Sequence, residues 1–347
     1  MSSLASETGP GAPLHGEDAI IQEYLAPLAA GYPGALGLKD DCATITPTPG
    51  HDLVLKTDPI ASSIHFLPDD PPADIGWKAL AVNVSDLAGK GALPRAYLMA
   101  LSFPEAPTRG WMGAFVSGLA EAQGAFGMHL IGGDTDRRPG PVTISITVLG
   151  EVPTGRMVLR GAARPGDVLF VTGVLGQAAL GLSLLKEPLL GARWGLDETA
   201  VQAAVNKYRR PQPRLALRDA LRYYASAAMD LSDGLAKDLG RMCRASGTGA
   251  TVSMEALPRE AVAKAAVSAD PSRWIDVLAG GDDYEVLVAV RPQDAAAFEV
   301  SANAAGAVAA EPFSVARIGE VTAGEVVTFL DQVGNPFALP RTGWDHF

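Results

Sequence analysis

The chain has 347 residues, more than one hydrophobic core usually supports, and its 48% apolar and 19% charged content excludes disorder, so two folded domains are expected. A formal net charge of −11 with no dense Lys/Arg block excludes a nucleic-acid binder of the electrostatic kind. Cys42 and Cys243, far apart, form neither a disulfide framework nor a zinc motif; with no secretory signal and no apolar run of membrane-spanning length, the expectation is a soluble cytoplasmic protein.

Residues 1–16, rich in Ser, Gly, Pro and Ala, read as a disordered tail. Ile20, Ile21, Leu25 and Leu28 then lie on one helical stripe. Leu53-Val54-Leu55 reads as a short strand running into Lys56-Thr57-Asp58. A helix is expected over 75–88, with Asn83 and Asp86 at i, i+3 on one face, and a second over 113–124. His129-Leu130-Ile131 reads as a strand ending in a turn at Gly132-Gly133-Asp134, and Val142, Ile144, Ile146 and Val148 alternate as a period-2 strand.

Residues 153–165 hold Pro, Gly and Arg without periodicity, so the boundary is placed there: an N-terminal domain over 17–152 and a C-terminal α/β domain over 153–347. The second half restarts with a strand over 168–171 and an apolar helix over 178–185. A strand over 227–229, a helix from Asp233 with Leu235, Leu239 and Met242 inward, and a strand over 285–290 follow.

One feature recurs: an acidic residue at the end of an apolar segment, beside Gly, Ser or Thr. Asp40 and Asp41, Asp58, Asp86, Asp134, Asp230 and Asp233, and Asp282 and Asp283 all fit it. Each alone is more often a turn residue or helix cap. Together they suit Mg²⁺ and phosphate, because Mg²⁺ takes one or two carboxylates and completes its shell with water and substrate oxygens. The usual ATP motifs are absent. Gly89-Lys90 lacks the P-loop glycine five residues earlier, where Val84 stands, and is followed by Gly91 instead of Ser or Thr.

Several segments together resemble bacterial thiamine-monophosphate kinases. They are Lys39-Asp40-Asp41-Cys42-Ala43, Thr57-Asp58, Ile64-His65-Phe66-Leu67-Pro68, the run from Lys78 to Ala88, and Ile131-Gly132-Gly133-Asp134-Thr135. The second half adds Arg164-Pro165-Gly166-Asp167, Asp230-Leu231-Ser232-Asp233-Gly234-Leu235, Gly280-Gly281-Asp282-Asp283-Tyr284-Glu285 and Gly343-Trp344-Asp345-His346-Phe347. Some pieces are shared with the wider aminoimidazole ribonucleotide synthetase superfamily.

The resemblance implies an α/β fold in two domains, the N-terminal one forming a shared β-barrel across a homodimer, and direct phosphoryl transfer from ATP to thiamine monophosphate. Several Mg²⁺ ions are implied as cofactors, with a monovalent cation as a further candidate. Carried over by position, Asp41, Thr57, Asp58, Asp86, Asp134, Asp230 and Asp233 would bind magnesium. Gly133, Asp134, Arg160 and Ser232 would contact ATP, and His65, Asp282 and Trp344 the thiamine monophosphate. Three positions depart from the family pattern. Lys39 replaces Gly, Lys56 replaces a small Ser or Thr, and Asp282 replaces the longer Glu. The alternatives are another ATP-dependent small-molecule enzyme of the superfamily, a metal-dependent phosphatase, or a non-catalytic nucleotide- or thiamine-phosphate-binding protein. The reactive amino-terminal Cys of selenophosphate synthetases is not present, and a binding protein would have no need to keep so many carboxylates.

Overall fold

The structure is a computed structural model and describes residues 9–14 and 16–343. It divides into two compact units, Met1–Leu87 with Leu93–Gly155, and Ala88–Ala92 with Arg156–Phe347.

The first unit is built on a four-stranded mixed sheet in the order β1-β4-β2-β3, comprising β1 (His51–Ala61), β2 (Leu93–Phe103), β3 (His129–Arg137) and β4 (Thr143–Pro153). β4 is antiparallel to both β1 and β2, while β2 and β3 run parallel. Pro59 lies within β1, which is tolerated because β1 is an edge strand and one side needs no donor. Helix α1 (Glu17–Ile20) continues as a π turn over Ile21–Leu25 and a 3₁₀ turn over Ala26–Ala29, so the expected stripe forms as three short turns. Pro27, which has no N–H to donate, sits at the start of the last of these.

Helices α2 (Pro72–Gly89) and α3 (Arg109–Phe126) supply the apolar layer for one face of the sheet. Met112, Phe115 and Leu119 of α3 and Leu80, Val84 and Leu87 of α2 are buried, as are Met99, Leu101, Ile144, Ile146 and Val148 of the strands. The two helices approach so closely that a Cβ on Gly118 would lie 1.8 Å from the Ala73 carbonyl oxygen. Thr108 caps α3 by accepting from the Trp111 N–H at 3.2 Å.

Two expectations are corrected here. Residues 9–14, within the stretch read as a disordered tail, dock at the start of α3. Ala12 and Leu14 are buried, and backbone bonds join Leu14 N–H to Pro107 O and Arg109 N–H to Ala12 O, both at 2.9 Å. Low apolar content hid two residues that suffice to hold a short segment already tied by its backbone. Gly132-Gly133-Asp134 is not a turn, because β3 runs through it to Arg137. The glycine serves close strand approach: a Cβ on Gly133 would lie 1.8 Å from the Met99 carbonyl oxygen on β2.

The second unit holds a six-stranded mixed sheet in the order β10-β7-β9-β5-β8-β6. Its strands are β5 (Val168–Thr172), β6 (Ala225–Asp230), β7 (Gly249–Ser253), β8 (Val286–Val290), β9 (Val315–Thr322) and β10 (Val327–Leu330). Its helices are α4 (Gln177–Lys186), α5 (Leu189–Arg193), α6 (Glu198–Arg209), α7 (Arg218–Tyr224), α8 (Leu235–Ser246), α9 (Ala261–Ala269), α10 (Trp274–Ala279) and α11 (Ala295–Ala307). β5 and β8 are buried along their whole length because both sheet faces are covered. Leu169 and Val171 pack into a core with α4 and α8, whereas Val168 and Phe170 face Phe298 of α11 and Leu221 of α7. Among the described residues, no helix is long and apolar enough to cross a membrane.

Candidate active site

In the first unit the site is assembled by β1 and α2. Strand alternation points Lys56 and Asp58 to the same face as buried Val54 and Ile60, toward the helices. Asn83 of α2, fully buried, meets Asp58 with both ends of its amide. Its Oδ1 accepts from the Asp58 N–H at 2.8 Å, and its Nδ2 donates to the Asp58 carbonyl at 3.3 Å and to Ala79 O at 3.1 Å. Asp86, three residues along, turns the same helix face toward Asp58. The Lys56 ammonium lies between the two carboxylates, 2.9 Å from Asp58 Oδ2 and 3.1 Å from Asp86 Oδ2. Burial works to lower the Lys56 pKa, but Asp86 and Asp58 outweigh it and hold the ammonium above its ordinary value.

The other residues expected in this unit lie apart from that pair. Asp41 is exposed in an irregular segment after Lys39. Thr57 alternates to the opposite sheet face, where the Thr147 hydroxyl donates to its Oγ1 at 3.0 Å. His65 sits in the turn after β1, and its Nδ1 accepts from the Ala61 N–H at 3.0 Å, which places a neutral ring's proton on Nε2. Gly133 and Asp134 are exposed on β3, and Asp134 Oδ1 accepts from the Thr135 N–H at 2.9 Å. The sheet order separates β1 from β3 by three strand spacings, roughly 14 Å in a flat sheet. Among the described residues, no group of three or more His, Cys, Asp and Glu side chains converges as a metal site. Asp58 and Asp86 do converge, as a pair of hard oxygen donors on one cation, and two carboxylates are what Mg²⁺ asks of a protein when substrate phosphates complete its shell.

In the second unit, the end of β6 and the segment before β8 form one cluster. Leu231 N–H donates to Glu285 O, Tyr284 N–H to Leu231 O, and Asp282 N–H to Ser232 O, at 2.8–2.9 Å. The structure thus brings Asp230, Ser232, Asp233 and Asp282 to one end of the sheet. Asp282 and Tyr284 have φ of 63° and 49°, a left-handed backbone that non-glycine residues adopt at a cost of about 1–3 kcal/mol each. The Tyr284 hydroxyl donates to Asp282 Oδ1 at 3.2 Å. Asp233 faces cations of the protein itself, with Arg241 at 2.5 Å and Lys237 at 3.8 Å. Arg160 is exposed in the segment between β4 and β5. Trp344 lies outside the described residues.

Two of the acidic residues flagged as possible ligands turn out to serve the backbone. Asp40 Oδ1 accepts from the Cys42 N–H at 3.3 Å. Asp283, fully enclosed, accepts from Gly176 N–H at 2.7 Å and Ala178 N–H at 3.3 Å at the start of α4, and burial pushes its pKa up to about 7. Helix α8 begins at Leu235 and not at Asp233, and Glu285 precedes β8.

Sequence reasoning passed over three supporting residues. The spacing of Asn83 shows that it shares a helix face with Asp86, but not that its amide meets the Asp58 backbone. Asp238, 0% exposed, accepts from the Ser232 and Asp233 N–H groups at 3.1 and 2.9 Å and pairs with Arg241 at 2.7 Å. Burial raises its pKa to about 6. The signal for it was legible: Asp238 lies at i+3 from Leu235 and i−4 from Met242, an acid on the apolar stripe. Glu285 is also fully buried. It accepts from Arg214 Nε and Nη2 at 2.7 and 2.6 Å, from Lys207 Nζ at 2.7 Å and from the Thr172 hydroxyl at 2.7 Å. Burial alone would raise its pKa, but Lys207 and Arg214 bring it down to about 2.

Comparison with known proteins agrees across the chain. The family model described as AIR synthase related protein, N-terminal domain, matches residues 39–152, and its C-terminal counterpart matches residues 164–332. A thiamine-monophosphate kinase from Caulobacter vibrioides is 40% identical over 329 residues, covering 94% of this chain and 89% of that protein. The crystal structure of thiamine-monophosphate kinase from Stenotrophomonas maltophilia K279a superposes with a TM-score of 0.74 at 34% identity, covering 84% of this chain and 89% of the other. AaThiL complexed with AMPPCP and TMP gives a TM-score of 0.74 at 29% identity, covering 89% and 91%.

Proposed function

The chain belongs to the thiamine-monophosphate kinases, and from that premise we propose how its residues phosphorylate thiamine monophosphate with ATP to give thiamine diphosphate and ADP. The observation that carries the site reading is the convergence of Asp58 and Asp86 on a single cation, with Asn83 clamping the Asp58 backbone. A relative of the same fold that binds the ATP analogue AMPPCP together with TMP supports the pairing of co-substrate and acceptor.

Asp58 and Asp86 would hold one Mg²⁺, and Asp41, Thr57, Asp134, Asp230 and Asp233, which lie apart from that pair, would serve further ions. When bound, the metal neutralises the charge of two phosphate groups that would otherwise repel. Gly133, Asp134, Arg160 and Ser232 hold ATP, and His65, Asp282 and Trp344 hold thiamine monophosphate. An acceptor phosphate whose second ionisation is near 6 is already anionic at neutral pH, so no side chain need serve as general base. The acceptor oxygen forms a bond to the γ-phosphorus as the bond from that phosphorus to the β,γ-bridging oxygen breaks, in line, and ADP leaves with the electron pair. Catalysis then rests on positioning and charge, which suits a site of clamped carboxylates.

We assign the protein to a homodimer in the cytoplasm, divided near residue 153. The open four-stranded sheet supports the dimer, because Leu55 and Leu98 stay exposed on the face away from α2 and α3, beside the patch of Ala96 and Leu149 that Ala29 and Ala35 cover, and a second copy there would complete a barrel. The deciding experiment gives purified protein ATP, Mg²⁺ and thiamine monophosphate and follows thiamine diphosphate by chromatography. Failure to form it at saturating ATP and Mg²⁺ refutes the reading.

A further inference from the structure

We propose that the Lys56 ammonium is a built-in cation of this site, filling the position between Asp58 and Asp86 that a bridging divalent ion would otherwise take. The inference rests on the reading of Asp58 and Asp86 as metal ligands. It adds that this chain supplies one of the positive charges itself.

The geometry supports it at three points. Lys56 and Asp58 are two residues apart on β1, so their side chains share the face turned to α2. The Asn83 amide fixes the Asp58 backbone to α2, and Asp86 extends from that helix three residues later, so the gap between the carboxylates is set by the fold. The ammonium then meets one oxygen of each carboxylate at 2.9 and 3.1 Å. Those two oxygens are therefore at most about 6 Å apart, a separation at which uncompensated carboxylates repel. Mg²⁺ binds oxygen at about 2.0–2.1 Å, so an ion placed between the same two oxygens would collide with the ammonium. The ammonium meets Oδ2 of both carboxylates, so a metal held by Asp58 alongside Lys56 would be met by its Oδ1. The Lys56 side chain is 33% exposed, held in the site instead of extended into water.

The test counts metal without requiring turnover. Mn²⁺ binding to the full-length protein, with and without AMPPCP, is followed by the electron paramagnetic resonance of free Mn²⁺. Lys56→Met keeps the length of the side chain but has neither charge nor a hard ligand. It is expected to bind about one more Mn²⁺ per chain than the wild type, and its half-saturating Mg²⁺ in the kinase assay should rise several-fold. Lys56→Arg retains the charge and should keep the wild-type stoichiometry. Lys56→Ala repeats the count should Met disturb packing. An unchanged stoichiometry in both uncharged variants overturns the proposal, even if their Mn²⁺ affinity rises, since that would make Lys56 only a competitor displaced by metal. Asp58→Asn separates the two levels of inference. If it lowers the count while the Lys56 variants match the wild type, only the Lys56 role fails; if it too leaves the count unchanged, the metal reading fails with it.

Discussion

Asn83→Leu removes an amide without changing side-chain size greatly, and it separates the positioning of Asp58 from its charge. In the wild type this amide accepts from the Asp58 N–H at 2.8 Å and donates to Asp58 O and Ala79 O, with no solvent exposure. Leucine offers neither donor nor acceptor, so the Asp58 N–H is left without that partner. Net loss of about 0.5–1.5 kcal/mol per hydrogen bond, plus about 1–3 kcal/mol for an orphaned buried group, sums to roughly 2–4 kcal/mol once partial access of water to β1 is allowed. For a unit of this size that lowers Tm by roughly 5–15 °C. Activity should fall further than stability explains, because Asp58 is no longer held opposite Asp86, and a misplacement of about 1 Å can cost on the order of 100-fold. Differential scanning fluorimetry gives the first quantity, and thiamine diphosphate formation well below the variant's Tm gives kcat/KM. A folded Asn83→Leu protein with wild-type kcat/KM and wild-type Mg²⁺ half-saturation would refute the clamp.

Glu285→Gln leaves Arg214 and Lys207 facing a neutral group in a buried site, so it should destabilise by about 3–5 kcal/mol at pH 7. Because the folded Glu285 pKa, about 2, lies below the ordinary 4.5, its contribution is present above pH 4.5 and is lost as pH falls toward 2. The difference in unfolding free energy between wild type and variant should shrink over that window, and a constant difference in urea titrations would contradict the assignment. Asp134→Asn is expected to abolish turnover while Tm stays within about 2 °C of wild type, since Asp134 is exposed and surface substitutions typically change stability by less than 0.5 kcal/mol; near-normal activity at low millimolar Mg²⁺ would remove it from the site. Arg160→Ala should raise the KM for ATP more than that for thiamine monophosphate, because a guanidinium fork suits phosphate oxygens; equal effects on both would return Arg160 to solvent. Trp344→Ala should weaken thiamine monophosphate by a few-fold to thirtyfold, about 0.5–2 kcal/mol for an indole face on a cationic ring, and Trp344→Phe should recover much of it; a lower Tm with unchanged KM would make Trp344 a packing residue.

The local patterns were legible because their causes are local. Alternation of Ile144, Ile146 and Val148 and the apolar stripe of Leu235, Leu239 and Met242 follow from the strand and helix periods, and those elements formed with their ends displaced by a few residues. The acids beside small residues pointed to a phosphate and metal chemistry, and the ordered motifs pointed to the family. What the acids would do individually could not be read from one dimension. Asp283 and Asp40 bind backbone N–H groups, while Asp58 and Asp86, 28 positions apart in sequence, meet because one helix amide holds one strand residue. Gly132-Gly133 carries the composition of a turn, yet β2 approaches so closely that only a residue without Cβ can continue β3 there. Lys56 is the sharpest case. In sequence it is a departure from a small polar residue, with a backbone carbonyl as its only route to a metal. Its ammonium reaches Asp86 only once β1 has packed on α2, since charge interactions depend on distance in space and the chain alone does not set that distance.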